Sequence, residues 1–213
     1  MTQNLTTSDG TPASRFAFGC MQFGGRADAA QSANMYAASR AAGINHFDTA
    51  WVYTDGRSEE ILGRLIQAER DQLLIATKAG YEGGAGAANM RTQLDQSRRR
   101  LGLDMVDVFY LHRFDPGTDL RETMDCFAAL KEAGVIRYAA LSNFAAWQVM
   151  KAQIAGQASG IRVDILQPMY SLVKRQAEVE ILPMCADQGI TAVPYSPLGG
   201  GLLTGKYAVG GNG

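Results

Sequence analysis

The chain has 213 residues, a net charge of −1 at neutral pH, 46% hydrophobic residues and 19% charged ones, which suits one domain with a substantial core. Such a balance offers no basic face for nucleic acid or an anionic membrane, and no apolar stretch reaches the length of a bilayer span. Three cysteines, Cys20, Cys126 and Cys185, leave one over in any disulfide pairing, so the expectation is a reduced, cytoplasmic protein.

Residues 1–14 are polar, lack a signal-peptide core and are expected to form a flexible N-terminal tail. The rest, 15–213, reads as one domain. Arg15–Cys20 is a short apolar strand followed by a glycine-rich loop, and Asp28–Ala42 is a helix closed by Gly43. A strand Ile44–Phe47 ends at Asp48. Arg57–Ala68 places Ile61, Leu62, Leu65 and Ile66 on one helical face, with Ser58 in position to cap its start. Leu73–Thr77 is a strand ending at Lys78, and Asn89–Leu101 a basic amphipathic helix closed by Gly102. Strand Val106–Leu111 ends at His112, and helix Asp119–Ala133 stops at Gly134. Strand Ile136–Leu141 ends at Ser142 and Asn143, and helix Ala145–Gln157 follows. Strand Val163–Leu166 ends at Gln167. A helix Ala177–Asp187, interrupted by Pro183, leads to strand Ile190–Val193, which ends at Pro194, Tyr195 and Ser196.

Strands and helices alternate through seven strands, the pattern of parallel strands joined by crossover helices. Both a doubly wound open sheet and a (β/α)8 barrel fit it. Polar residues at the C-terminal end of nearly every strand favour the barrel, where those ends ring one site. In an open sheet they would spread along a line, and no G-x-G-x-x-G follows a strand. An eighth strand and helix are missing from the pattern.

Asp48, Tyr53, Lys78 and His112 form the catalytic constellation. A phenol with a reference pKa of about 10 is a poor acid at neutral pH, and a neighbouring ammonium favours its phenolate. Asp48 would hold Lys78, and His112 can donate a hydrogen bond to a carbonyl oxygen. Protonating an oxyanion as it forms on a carbonyl is the task this set suits, with hydride supplied by a cofactor.

At these residues the sequence resembles the aldo-keto reductases. The resemblance spans Phe16 to Tyr207 and is carried by Asn45-His46-Phe47-Asp48-Thr49-Ala50 with Tyr53, Ser58-Glu59-Glu60-Ile61-Leu62-Gly63 and Ala76-Thr77-Lys78. Further matches are Val108-Phe109-Tyr110-Leu111-His112, Ser142-Asn143-Phe144, Gln167-Pro168-Met169-Tyr170-Ser171 and Pro194-Tyr195-Ser196-Pro197-Leu198-Gly199-Gly200-Gly201-Leu202. It implies a (β/α)8 barrel that binds NADP(H), or NAD(H), and reduces a small-molecule aldehyde or ketone. It also implies Tyr53 as general acid, tuned by Lys78 and Asp48, with His112 placing the carbonyl. Ser142, Asn143 and Gln167 would bond the nicotinamide carboxamide and Tyr195 would stack on its ring. Ser196, Leu198, Gly200, Leu202 and Lys206 would wrap the pyrophosphate. Trp51 and Tyr81 are candidates for the substrate pocket.

The family's last strand and helix, which grip the adenosine and its 2′-phosphate, have no counterpart in these residues. A longer gene product, or weak cofactor affinity, is therefore expected. Cofactor preference, the individual carbonyl substrate and the oligomeric state are not encoded legibly. A second reading is a regulatory, cofactor-binding subunit with little turnover. Lys78 as a Schiff-base nucleophile and a metal centre built on only two histidines, His46 and His112, are weaker alternatives.

Overall fold

The computed structural model describes residues 5–207. Seven parallel strands, each hydrogen-bonded to the next in chain order, curl into a half-barrel. They are β1 (Ala17–Gly19), β2 (His46–Asp48), β3 (Leu74–Ala79), β4 (Val106–Leu111), β5 (Ile136–Ser142), β6 (Ile165–Gln167) and β7 (Thr191–Ala192). Between them run α1 (Ala29–Ala41), α2 (Arg57–Ile66), α3 (Ala87–Leu101), α4 (Leu120–Glu132), α5 (Ala146–Gly156) and α6 (Ile181–Gln188). Strand order follows sequence order with no reversal, so there is no switch point of the kind a doubly wound sheet requires. The architecture is that of a (β/α)8 barrel with seven of its strands present among the described residues.

Pleating divides each strand between two layers. Phe47, Ile75, Phe109, Leu111, Leu141 and Leu166 face outward into the main core beneath the helices. Leu74, Ala76, Val108, Tyr110, Ala140 and Ile165 face inward and form a smaller interior cluster. Two residues further along, on the same inward face, stand Lys78 after Ala76, His112 after Tyr110, Ser142 after Ala140 and Gln167 after Ile165. The period of two thus places these four polar strand ends over an apolar floor, while Asp48 follows His46 on the inward face of β2.

Three local expectations change. Residues 5–14 are packed rather than a loose tail: Thr6 and Pro12 form an antiparallel bridge, and Leu5 is buried in the interior cluster. The Thr6 N–H donates to the Tyr138 hydroxyl at 3.2 Å, and Arg137 donates to the Thr6 carbonyl at 2.7 Å. A short stretch rich in Thr and Ser closes the N-terminal end of the barrel because its backbone groups find partners there. Ser58 does not cap α2. Gly56 occupies that position, the Thr54 hydroxyl accepts from the Ser58 N–H at 3.0 Å, and the Ser58 hydroxyl donates to the Cys20 carbonyl at 2.8 Å. Pro183 does not interrupt α6, which starts at Ile181; proline falls in the first turn, where its missing N–H has no intrahelical acceptor to lose. Residues 1–4 and the glycine-rich end 208–213 lie outside the described residues.

Helices α2 and α3 meet at Gly63. A Cβ there would stand 2.6 Å from the Leu101 carbonyl oxygen and 2.8 Å from that of Arg100. The two helices sit at backbone contact, and this approach brings Arg100 to the turn that carries Tyr53.

Candidate active site

Lys78 and Asp48 form a buried ion pair at the C-terminal ends of β3 and β2, with side chains 0% and 11% exposed. The Lys78 ammonium also donates to the Thr49 carbonyl at 2.8 Å. The second carboxylate oxygen of Asp48 accepts from the Gln167 amide at 3.0 Å. Desolvating two charges is costly unless each finds close partners, and these bonds supply them. The Lys78 Nζ lies 5.1 Å from the centroid of the Tyr53 ring and 5.5 Å from that of Tyr110. His112 presents its ring edge-on to Tyr53, with centroids 5.7 Å apart and planes at 82°. Tyr81 also packs against His112, with centroids 5.0 Å apart, and the guanidinium of Arg113 lies over the Tyr81 ring at 4.6 Å.

The electrostatics follow from burial and charge. Burial pushes the Tyr53 phenol above its ordinary value. Lys78 pulls it back by charge and by hydrogen bonding, and Asp48 raises it, so the net direction is upward. The ammonium therefore acts in the expected sense but does not win. Burial works to lower the Lys78 pKa, yet Asp48 and Tyr53 hold it above the ordinary lysine range. His112 is pulled down to about 4, first by burial, then by the cations of Lys78 and Arg113, which leaves a neutral imidazole at pH 7.

Ser142, Asn143, Gln167 and Tyr195 meet one another beside this group. The Ser142 hydroxyl donates to the Gln167 carbonyl at 3.1 Å, and the Asn143 amide donates to the His112 carbonyl at 2.9 Å and to Ser142 Oγ at 3.1 Å. The Tyr195 hydroxyl donates to Asn143 Oδ1 at 2.7 Å. Asn143 takes a φ of +59°, which asparagine adopts more readily than most residues. Beyond β7, Ser196 also has positive φ, and a 3-10 segment Gly199–Thr204 follows. Leu198 and Leu202 are exposed there. Lys206 crosses Gly201, where a Cβ would lie 2.9 Å from its Cε.

A cavity of about 1100 Å³ opens between the edges of β1 and β7, which are not paired with each other. Asp48, Gln167, Tyr195 and Ser196 line its upper part, and Leu5 and Pro12 its lower part. Trp51 turns away from it: the indole N–H donates to Gln96 at 2.6 Å and the ring lies against Arg100. Sequence reasoning did not single out Glu59 and Arg100 as a pair, although Glu59 is fully buried. Nothing in the sequence marked the pair, since each residue reads as an ordinary helix charge. Among the described residues no group of three or more His, Cys, Asp or Glu is placed to hold a metal ion, and no helix is long and apolar enough to cross a membrane.

A parallel barrel that gathers polar side chains at its strand C-termini is the architecture in which (β/α) enzymes place their chemistry. The chain belongs to the aldo/keto reductase family, whose model matches residues 15–212. It is 40% identical over 195 residues to aflatoxin B1 aldehyde reductase member 2 of Rattus norvegicus, covering 89% of this chain and 53% of that protein. Against L-glyceraldehyde 3-phosphate reductase of Escherichia coli K12 it is 37% identical over 182 residues, covering 79% of this chain and 53% of the other. A probable voltage-gated potassium channel subunit beta of Oryza sativa subsp. japonica is 33% identical over 220 residues, covering 98% and 67%. The chain spans about half the length of the first two relatives.

Proposed function

We propose that the protein reduces the carbonyl of a small aldehyde or ketone to an alcohol, with NADPH, or NADH, as hydride donor. The observation that carries this reading is the placement of the Tyr53 ring between the Lys78–Asp48 pair and the neutral His112. Two of the relatives are named as reductases, one of an aldehyde and one of a glyceraldehyde phosphate, which favours aldehydes.

Ser142, Asn143 and Gln167 offer the donors and acceptors that a nicotinamide carboxamide requires, and the partly exposed ring of Tyr195 offers a stacking face. Ser196, Leu198, Gly200, Leu202 and Lys206 would follow the pyrophosphate, which the backbone of a glycine-rich turn can approach closely. A nicotinamide cofactor held by these residues would supply the hydride that the reduction needs. Tyr53, protonated at neutral pH, gives its proton to the carbonyl oxygen as negative charge develops there. Lys78 stabilises the phenolate left behind, Asp48 and the Thr49 carbonyl keep that ammonium in place, and water restores the phenol. His112 contributes an N–H that orients the carbonyl. Three buried cysteines without disulfides suit a reducing, cytoplasmic setting.

NADPH oxidation followed over an aldehyde and ketone panel tests the reading. Tyr53→Phe should lose roughly 10²–10⁴-fold in turnover, as loss of a general acid does, while cofactor binding persists. A Tyr53→Phe variant as fast as the parent overturns the assignment. The channel-subunit relative supports a second reading, a cofactor-binding regulatory subunit; binding of NADPH without turnover of any member of the panel would select it.

A further inference from the structure

The turn that carries Tyr53 holds a costly backbone conformation. Immediately after Tyr53, Thr54 and Asp55 adopt φ of +49° and +57°, a region that residues with a Cβ populate at some cost. The Tyr53 N–H donates to the Ala50 carbonyl at 3.1 Å, the Ser58 N–H to the Thr54 hydroxyl at 3.0 Å and that hydroxyl to the Phe23 carbonyl at 2.8 Å, and α3 adds a further hold.

Arg100 of α3 touches the turn on both sides of Tyr53. Its Nη1 donates to the Trp51 carbonyl at 3.0 Å, and its guanidinium lies 5.6 Å from the Trp51 ring centroid. On the other side it packs onto Gly56, where φ is +88° and a Cβ would lie 2.5 Å from Arg100 Cζ. The same Nη1 donates to Glu59 Oε2 at 3.1 Å. The other oxygen of Glu59, fully buried, accepts from the Thr77 hydroxyl at 2.6 Å. Thr77 precedes Lys78 on β3, and the Lys78 carbonyl accepts from the Trp51 N–H at 3.0 Å. A continuous path therefore runs from the strand carrying the ammonium, through Glu59 and Arg100, to the turn carrying the phenol.

We infer that Arg100, held by Glu59, is a positioning residue that fixes the Tyr53 turn against Lys78. It acts through the Trp51 carbonyl and the face of Gly56 and touches no reacting atom. The inference about rate rests on the reading of Tyr53 as the acid; the inference about the turn does not.

The test compares the parent, Arg100→Ala, Arg100→Lys and Tyr53→Phe. Without cofactor, hydrogen exchange is measured on a peptide covering 50–57. With NADPH and 4-nitrobenzaldehyde, kcat and KM are measured, with and without millimolar guanidinium. Arg100→Ala should exchange faster at 50–57 while the β3 and β4 peptides are unchanged. Its kcat should fall about 10- to 100-fold, the scale of a misplaced catalytic group, with KM for NADPH within about two-fold and partial recovery on adding guanidinium. Lysine keeps a charge beside Glu59 but cannot lie flat over Trp51 and Gly56, so Arg100→Lys should show the same split and serves alone if the alanine variant does not fold. Unchanged exchange at 50–57 overturns the inference. So does unchanged kcat in a protein whose Tyr53→Phe variant is inactive, or faster exchange across the whole barrel without rescue. A fully active Tyr53→Phe instead removes the assignment of the acid, and the exchange result then decides the clamp by itself.

Discussion

Gln167 donates its side-chain amide to Asp48 Oδ2 at 3.0 Å, joining β6 to β2 across the barrel interior. The residues expected to hold a nicotinamide are thereby wired to the residues expected to protonate the substrate. Asp48 spends one oxygen on Lys78 and the other on Gln167, so its charge is fully engaged.

Breaking that ion pair from one side should be expensive. Asp48→Asn leaves a buried ammonium, and Lys78→Met a buried carboxylate, so each single change should cost about 3–5 kcal/mol. The double variant should recover a large share of the loss, because it removes both charges together. Urea unfolding of the four proteins measures this as a double-mutant cycle. Single variants as stable as the parent would show that the pair is solvated in solution.

The same pair should set the alkaline edge of activity. Lys78 lowers the Tyr53 pKa and Asp48 raises it, against a larger upward push from burial. Removing the ammonium should move the phenol, and with it the alkaline fall in the reduction rate, to higher pH. Asp48→Asn should move it lower. A rate profile that does not respond to either change would mean that Tyr53 is not the group titrating.

Much of this arrangement was legible beforehand. Seven strands were readable because each is a short apolar run, and the polar residue closing nearly every run marked the end of the barrel that carries the candidate site. Asp48, Lys78 and His112 converge because each closes one of three neighbouring strands on the inward face, as the period of two dictates; the register, with Asp48 opposite Ala76 and Lys78 opposite Tyr110, was not legible. The net direction of the Tyr53 pKa was not legible, since burial of a loop tyrosine depends on walls from other strands. Nor was the clamp: Glu59 and Arg100 are 41 residues apart and each reads as an ordinary helix charge until Gly63 brings the helices together. Residues 5–14 were misread because polar composition says nothing of where backbone groups find partners.

Gly63 offers a direct check on that helix contact. Alanine there would drive a methyl group into the carbonyls of Leu101 and Arg100, which cannot yield as a side-chain tip would. Overpacking of this kind should cost about 1–3 kcal/mol. Because the displaced backbone belongs to Arg100, exchange at 50–57 should rise as well. A Gly63→Ala protein of parental stability and exchange would show that α2 and α3 slide apart freely.

Acid should destabilise the fold through its two histidines. His46 and His112 are both pulled down to about 4, chiefly by burial, against about 6.5 in the unfolded chain. Depressed histidines bind protons more tightly when unfolded, so their contribution is fully present above pH 6.5 and is lost as pH falls from there towards 4. Each should cost roughly 3 kcal/mol by the end of that window. Unfolding midpoints measured from pH 8 down to 4.5 should therefore fall most steeply below 6.5, and His46→Asn should flatten the slope. A midpoint constant across that range would mean that both imidazoles titrate normally.

Leu5 tests whether the N-terminal stretch belongs to the fold. It is 7% exposed and packs with Leu74, Val108, Tyr110 and Ile165 at the closed end of the barrel. Truncation to alanine leaves a cavity among these side chains and should cost about 2–5 kcal/mol, the range for a buried leucine. A solvated tail would lose almost nothing. Arg137→Met removes the donor to the Thr6 carbonyl and also one of the two arginine partners of buried Asp107, so its cost should exceed that of the Thr6 contact, and the share that runs through the N-terminal stretch is the part that fails to add to Leu5→Ala. Additive effects would place Leu5 and Arg137 in separate structures, and a neutral Leu5→Ala would restore the picture of a free tail.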